Sequence, residues 1–119
     1  MKVLVVDDAT NVRKVIKLML EYSNYQVVGE AENGFMAVEK YQELRPDLVV
    51  MDITMAGLDG ISALKEILKY DSQAAVIMIS AFPGDYIVQE VIEAGAKAFI
   101  SKPFLMEDFI AAVQRLNPE

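Results

Sequence analysis

The feature that most restricts this chain is a hydrophobic period that changes from strand-like to helix-like five times. Short apolar runs alternating with i, i+3, i+4, i+7 patterns specify β and α segments in strict succession. Val3 to Val6 is the first apolar run, and Val12, Val15, Ile16 and Met19 then fall on one helical face. Residues 26–31 read as a second strand. Asn33-Gly34 turns into a helix with Ala37, Tyr41 and Leu44 inward, and Pro46 prevents that helix from continuing. In the run Asp47 to Thr54, four consecutive apolar residues end at Asp52, which marks a strand buried on both faces. After a two-glycine turn comes a helix from roughly 58 to 70, with Ile61, Leu64 and Leu68 on one face. Residues 75–80 form a fourth strand, followed by a helix over 85–94 that Gly95 caps. A fifth strand over 97–100 precedes a last helix in which Phe109, Ala112, Val113 and Leu116 share a face.

This succession predicts an α/β fold of the (βα)5 type: a doubly wound, parallel five-stranded sheet in the flavodoxin-like order 2-1-3-4-5, with helices on both faces. Residues 1–119 read as a single domain without linker, repeat or low-complexity tract.

Composition removes several kinds of chemistry. The chain has no cysteine and no histidine, so a thiolate site, a His general base and a His phosphocarrier are excluded. A net charge of −7 argues against direct binding of nucleic acid or an anionic membrane. The N-terminus is too short in apolar residues and too quickly acidic for a signal peptide, and no apolar run approaches a membrane span. A soluble, cytoplasmic protein without membrane insertion is the expectation.

In a sheet of this order, ligands bind beyond the carboxyl ends of the strands, where the strand order reverses. The residues expected there are Asp7 and Asp8, Asp52, Ser80 and Lys102. Close carboxylates repel by about 4 kcal/mol per pair at an effective dielectric of 20, so such a cluster needs a compensating cation. Three hard oxygen donors with no His or Cys suit Mg²⁺ (or Mn²⁺), and Lys102 supplies a fixed positive charge opposite. A carboxylate beside a divalent cation, an ammonium and a hydroxyl is equipped to attack phosphorus and form an aspartyl phosphate. Taken singly, Asp52 could cap a turn, Asp8 could cap the first helix, Ser80 could end a strand, and Lys102-Pro103 could be a turn. Their convergence on one sheet edge favours the chemical reading.

With these residues in view, the chain resembles the receiver domains of two-component response regulators. The likeness runs through Val5-Val6-Asp7-Asp8, Met51-Asp52 to Gly60, Ile79-Ser80-Ala81, Ala94-Gly95-Ala96 and Ala98 to Phe104. It implies that Asp52 accepts a phosphoryl group from a sensor histidine kinase, with Mg²⁺ held by Asp7, Asp8, Asp52 and the Thr54 backbone carbonyl. It implies further that Ser80 and Phe99 form a switch pair, that Pro103 follows a cis peptide, and that a downstream target or output domain docks on the face of the fourth helix, fifth strand and fifth helix. Tyr86, Ile87, Gln89, Met106 and Glu107 fall on that face, which is also where a phosphorylation-dependent dimer would form. Such a protein is a phosphoacceptor that catalyses its own phosphorylation rather than an enzyme with an external substrate.

The chain departs from the family pattern at Ala56, where proline is usual, and at Phe99, where tyrosine is common. Thr54 and Phe82 lie two residues beyond Asp52 and Ser80, flanking the route of a hydrolytic water. Neither can orient that water as an acid or amide would, so slow self-dephosphorylation is expected. The sequence of the second strand looks more like chemotaxis-type and helix-turn-helix-output regulators than the winged-helix branch, and the lack of an output domain slightly favours a free-standing, chemotaxis-like regulator over the N-terminal receiver of a longer DNA-binding transcriptional regulator. The rival readings are an aspartate-nucleophile phosphatase, for which no cap domain exists, a flavin module, whose phosphate Asp7-Asp8 would repel, and a receiver working by protein contact alone.

Overall fold

The computed structural model describes residues 1–55, 59–81 and 85–116. The elements run β1 (Lys2–Val6), α1 (Thr10–Tyr22), β2 (Gln26–Ala31), α2 (Gly34–Leu44), β3 (Leu48–Asp52), α3 (Gly60–Tyr70), β4 (Val76–Ser80), α4 (Asp85–Glu93), β5 (Ala98–Ser101) and α5 (Met106–Leu116). All neighbouring strands are parallel, in the order β2-β1-β3-β4-β5. This is the expected (βα)5 architecture, with element ends within two residues of the sequence-based boundaries.

Every residue of β3 and β4 is buried. Side chains alternate across a strand, so the central strands feed two cores. Val3, Val5, Leu48, Val50, Ile77 and Ile79 pack beneath α1 and α5 against Ile16, Leu20, Phe109 and Val113. On the opposite face, Leu4, Val6, Val49, Met51, Val76 and Met78 meet Ala37 and Tyr41 of α2, Leu64 and Ile67 of α3, and Val91 of α4.

Two helical faces are rotated from the sequence expectation. In α1, Ile16 and Leu20 are the buried pair, whereas Val15 is 49% exposed and lies beside exposed Leu18 and Tyr22. The helix packs on β1 and β2, and Val15 falls beyond the edge of the stripe that meets them. In α3, Gly60, Ala63, Leu64 and Ile67 are buried, and Ile61 and Leu68 flank them half-buried. The small residues at 60 and 63 let α3 approach the sheet more closely than a face of Ile61, Leu64 and Leu68 would. Gly95 carries φ +112°, as its capping role requires.

At the pole opposite the carboxyl edge, the Tyr41 hydroxyl donates to Asp71 Oδ2 at 2.8 Å, tying α2 to the C-cap of α3. Burial pushes the Tyr41 hydroxyl well above its ordinary value. Its bond, with help from the Gln73 N–H, holds the Asp71 carboxyl below the usual carboxylate range. A depressed carboxyl contributes stability above its unfolded value and loses it as pH falls through its folded value. Tyr41→Phe should therefore lower the thermal midpoint at neutral pH by a few degrees. The gap from wild type should close as pH falls below about 4, measured by circular dichroism.

Candidate functional site

The carboxyl edge of the sheet collects the polar residues that the core excludes. Asp7 directly follows β1, Asp52 ends β3, Ser80 ends β4, and Lys102 directly follows β5. Asp7, Asp52 and Ser80 are the buried polar residues among those described, at 2%, 7% and 3% exposure, while Asp8 is exposed. Parallel registry brings these ends level, with Asp52 opposite Ile79 and Ser80 opposite Ser101. Two further bonds continue the ladder beyond the strands: Ile53 N–H to the Ile79 carbonyl at 2.9 Å, and Lys102 N–H to the Ser80 carbonyl at 2.8 Å.

Lys102 Nζ lies 3.0 Å from Asp7 Oδ2 and 3.6 Å from Asp52 Oδ1, so one ammonium bridges two buried carboxylates. Asp7 Oδ1 also accepts the Ala9 N–H at 2.9 Å. The first residue of α1's cap is Ala9, with no side-chain cap, so Asp8 does not serve the helix. Desolvation raises the Asp52 carboxyl above its ordinary value; Lys102 opposes this, the Asp7 and Asp8 charges add to it, and the Ile53 N–H lowers it.

Asp7, Asp8 and Asp52 each offer one oxygen, all within 4.8 Å of one another. Three close carboxylate oxygens with no nitrogen or sulfur donor among them suit a small, hard cation. Two buried carboxylates and a third beside them, repelling one another, are the electrostatic reason to expect one.

Gly60 brings α3 against the site. Its N–H donates to the Ile53 carbonyl at 2.8 Å, and a Cβ built there would lie 2.2 Å from the Asp52 carbonyl oxygen. Asp59 caps the helix, accepting the Ser62 N–H at 2.8 Å.

The structure thus brings together Asp7, Asp8, Asp52 and Lys102 as the sequence predicted, with Ser80 at the adjacent strand end, and the Lys102-Pro103 peptide is cis. Thr54 is exposed two residues past β3, and Phe99 is half-buried on β5 against the α2–α3 side core. Ile87 is half-buried, and Gln89, Met106 and Glu107 are exposed. Ala56, Phe82 and the Tyr86 side chain lie outside the described residues. Beside Lys102 a groove of about 680 Å³ opens between α1 and the β5–α5 connection, lined by Val12, Val15, Met19 and Phe104. Sequence reasoning missed this groove because it counted Val15 as core. It also missed Arg13, whose side chain donates to the Asp7 carbonyl at 2.7 Å, because only the folded loop brings the two together.

A parallel α/β sheet whose carboxyl edge gathers three aspartates and a lysine defines a class of α/β proteins with an acidic pocket at the strand ends. The chain belongs to the response regulator receiver domain family, whose pattern its residues 3–114 match. It is 51% identical over 114 residues to the chemotaxis protein CheY of Bacillus subtilis (strain 168), covering 96% of this chain and 95% of that one. To the transcriptional regulatory protein YdfI of the same organism it is 40% identical over 102 residues, which span 47% of that protein. A chain in the solved CheX-CheY-BeF3-Mg²⁺ complex of Borrelia burgdorferi superposes with a TM-score of 0.96 at 33% identity, covering all of this chain and 90% of that one. Membership of this family sets aside the phosphatase and flavin readings. Among the described residues, no helix is long and apolar enough to cross a membrane.

Proposed function

We propose that this chain is a free-standing, chemotaxis-type response regulator, a single receiver domain that accepts a phosphoryl group on Asp52 from a sensor histidine kinase in the cytoplasm. The observation that carries this reading is the Lys102 ammonium bridging Asp7 and Asp52, beside a third carboxylate oxygen within 4.8 Å. The higher identity to the Bacillus subtilis chemotaxis protein, 51% against 40% to the transcriptional regulatory protein YdfI, supports the chemotaxis-type form over the N-terminal part of a transcriptional regulator.

In this reading, Asp7, Asp8, Asp52 and the Thr54 carbonyl hold Mg²⁺, as Mg²⁺ accompanies the Borrelia relative in its complex. The ion would neutralise the carboxylate cluster and draw charge from the phosphoryl oxygens. An Asp52 oxygen attacks phosphorus; the O–P bond forms as the P–N bond to the donor imidazole breaks, and that nitrogen keeps the electron pair and takes a proton. Lys102 moves from pairing carboxylates to pairing the new phosphoryl group, and the Ser80 hydroxyl donates to one of its oxygens. Movement of Ser80 toward the phosphoryl group frees space for Phe99 to change rotamer, which alters the face of α4, β5 and α5. A groove of about 400 Å³ on that face, lined by Phe99, Ser101, Phe104, Leu105, Asp108 and Arg115, supports docking of a downstream protein there. Phe99 has no hydroxyl, so its outward form offers a partner only apolar contact. The chain acts as a phosphoacceptor that promotes its own phosphorylation and turns over no external substrate.

Intact mass after incubation with acetyl phosphate tests this. Wild type should gain one phosphoryl mass only with Mg²⁺, and Asp52→Asn should gain none. A wild type that binds Mg²⁺ yet gains no mass would leave a receiver working by contact alone.

A further inference from the structure

Asp7 has every polar group engaged. Its N–H donates to the Ala31 carbonyl at 3.1 Å, Oδ1 accepts the Ala9 N–H at 2.9 Å, Oδ2 meets Lys102 Nζ at 3.0 Å, and its carbonyl accepts from Arg13 at 2.7 Å. Asp8 is held differently. It is exposed, and among the described residues no side-chain hydrogen bond or ion pair holds its carboxylate, so the backbone alone places its Cβ. The Asp7 carbonyl and the Asp8 N–H belong to one planar peptide unit. Whatever grips that carbonyl sets the plane from which the Asp8 side chain leaves.

The grip is a fork. While one terminal nitrogen of Arg13 donates to the Asp7 carbonyl, Nε donates to Glu30 Oε1 at 3.1 Å and the other terminal nitrogen to Thr10 Oγ1 at 3.3 Å. The Arg13 side chain is only 12% exposed. Glu30 sits on β2 in register with Val5 of β1, two residues before Asp7, so the fork spans from the sheet to the loop. A planar guanidinium can satisfy three acceptors in fixed directions, which a lysine ammonium on a flexible stem does not reproduce.

We propose that Arg13 is a positioning residue of the cation site, orienting the Asp7–Asp8 peptide so that the Asp8 carboxylate faces Asp7 and Asp52, with Glu30 as its anchor. This rests on the cation-binding reading above and assigns a further residue to it. Two explanations give opposite signs. If Arg13 mattered only through its charge, removing a cation near three carboxylates would strengthen divalent binding. If it positions a ligand, removing it weakens binding, and groups that orient metal ligands typically contribute about 10- to 100-fold.

The test is titration of the full chain with Mn²⁺, following free aqueous Mn²⁺ by electron paramagnetic resonance, with circular dichroism on the same samples. Arg13→Ala and Arg13→Lys should each bind about tenfold more weakly than wild type, since lysine keeps the charge but not the fork. Arg13→Lys carries the test if Arg13→Ala does not fold, and Asp8→Asn sets the level for loss of a ligand. Binding within twofold of wild type in folded Arg13→Lys, or tighter binding in Arg13→Ala, overturns the role of Arg13 and leaves the cation site intact. A wild type that binds no Mn²⁺ overturns the cation site itself and this inference with it.

Discussion

Gly60→Ala should destabilise this protein by about 3 kcal/mol and slow phosphorylation at Asp52 at the same time. The added methyl would lie 2.2 Å from the Asp52 carbonyl oxygen and 2.8 Å from the Ile53 Cα. Both are backbone atoms of the chain leaving β3, so no side chain can swing aside. Either α3 lifts away, breaking the 2.8 Å bond from Gly60 N–H to the Ile53 carbonyl, or the end of β3 shifts and carries Asp52 with it. For a chain of this size the thermal midpoint should fall by roughly 10 °C or more. Acetyl-phosphate labelling measured well below that midpoint should be slower than in wild type. A midpoint within a degree or two of wild type would mean that α3 can retreat without cost.

Charge at Asp52 gives the second large effect, and its sign depends on the metal. Without divalent cations, Asp52→Asn should raise the thermal midpoint, because burial and the Asp7 and Asp8 charges disfavour the ionised carboxyl more than Lys102 favours it. A carboxyl raised in the folded state binds more protons there than in the unfolded chain, so its contribution to stability falls as pH climbs from about 4 through the folded value. The advantage of the variant should accordingly grow across that window and stay level above it. With Mg²⁺ at a hundredfold over its dissociation constant, wild type should gain about 2.7 kcal/mol by mass action. The variant, without the carboxylate proposed as a ligand, should gain much less, so the order of the two midpoints reverses. Thermal unfolding with chelator and with Mg²⁺, across a pH series, reads both effects. A variant less stable than wild type in chelator would mean that the contact of Asp52 with Lys102, at 3.6 Å, outweighs its burial.

Much of this protein was legible before folding was considered. Strand-to-helix alternation gave five units in the right order, and the all-apolar run Leu48 to Met51, too short for a helix and bounded by Pro46 and a glycine turn, fits a strand covered on both faces. Since such strands run parallel, their carboxyl ends share one edge, and Asp7, Asp8, Asp52, Ser80 and Lys102 could be assigned to it from chain position alone. Val15 shows where this reasoning stops. Its spacing from Val12 and Met19 fits a helical core stripe, yet the width of the stripe depends on how α1 rests on the sheet, and Val15 is 49% exposed.

The sequence by itself therefore determined the element order, the parallel sheet and the identity of the pocket's charged groups, because these follow from local periodicity and from which residue ends each strand. Only the tertiary structure decided that Lys102 bridges Asp7 and Asp52, that Arg13 holds the Asp7 carbonyl, and that Gly60 lies under the end of β3. Those contacts join residues whose meeting depends on strand registry and helix rotation to within a few ångströms, and local sequence pattern carries no term for either.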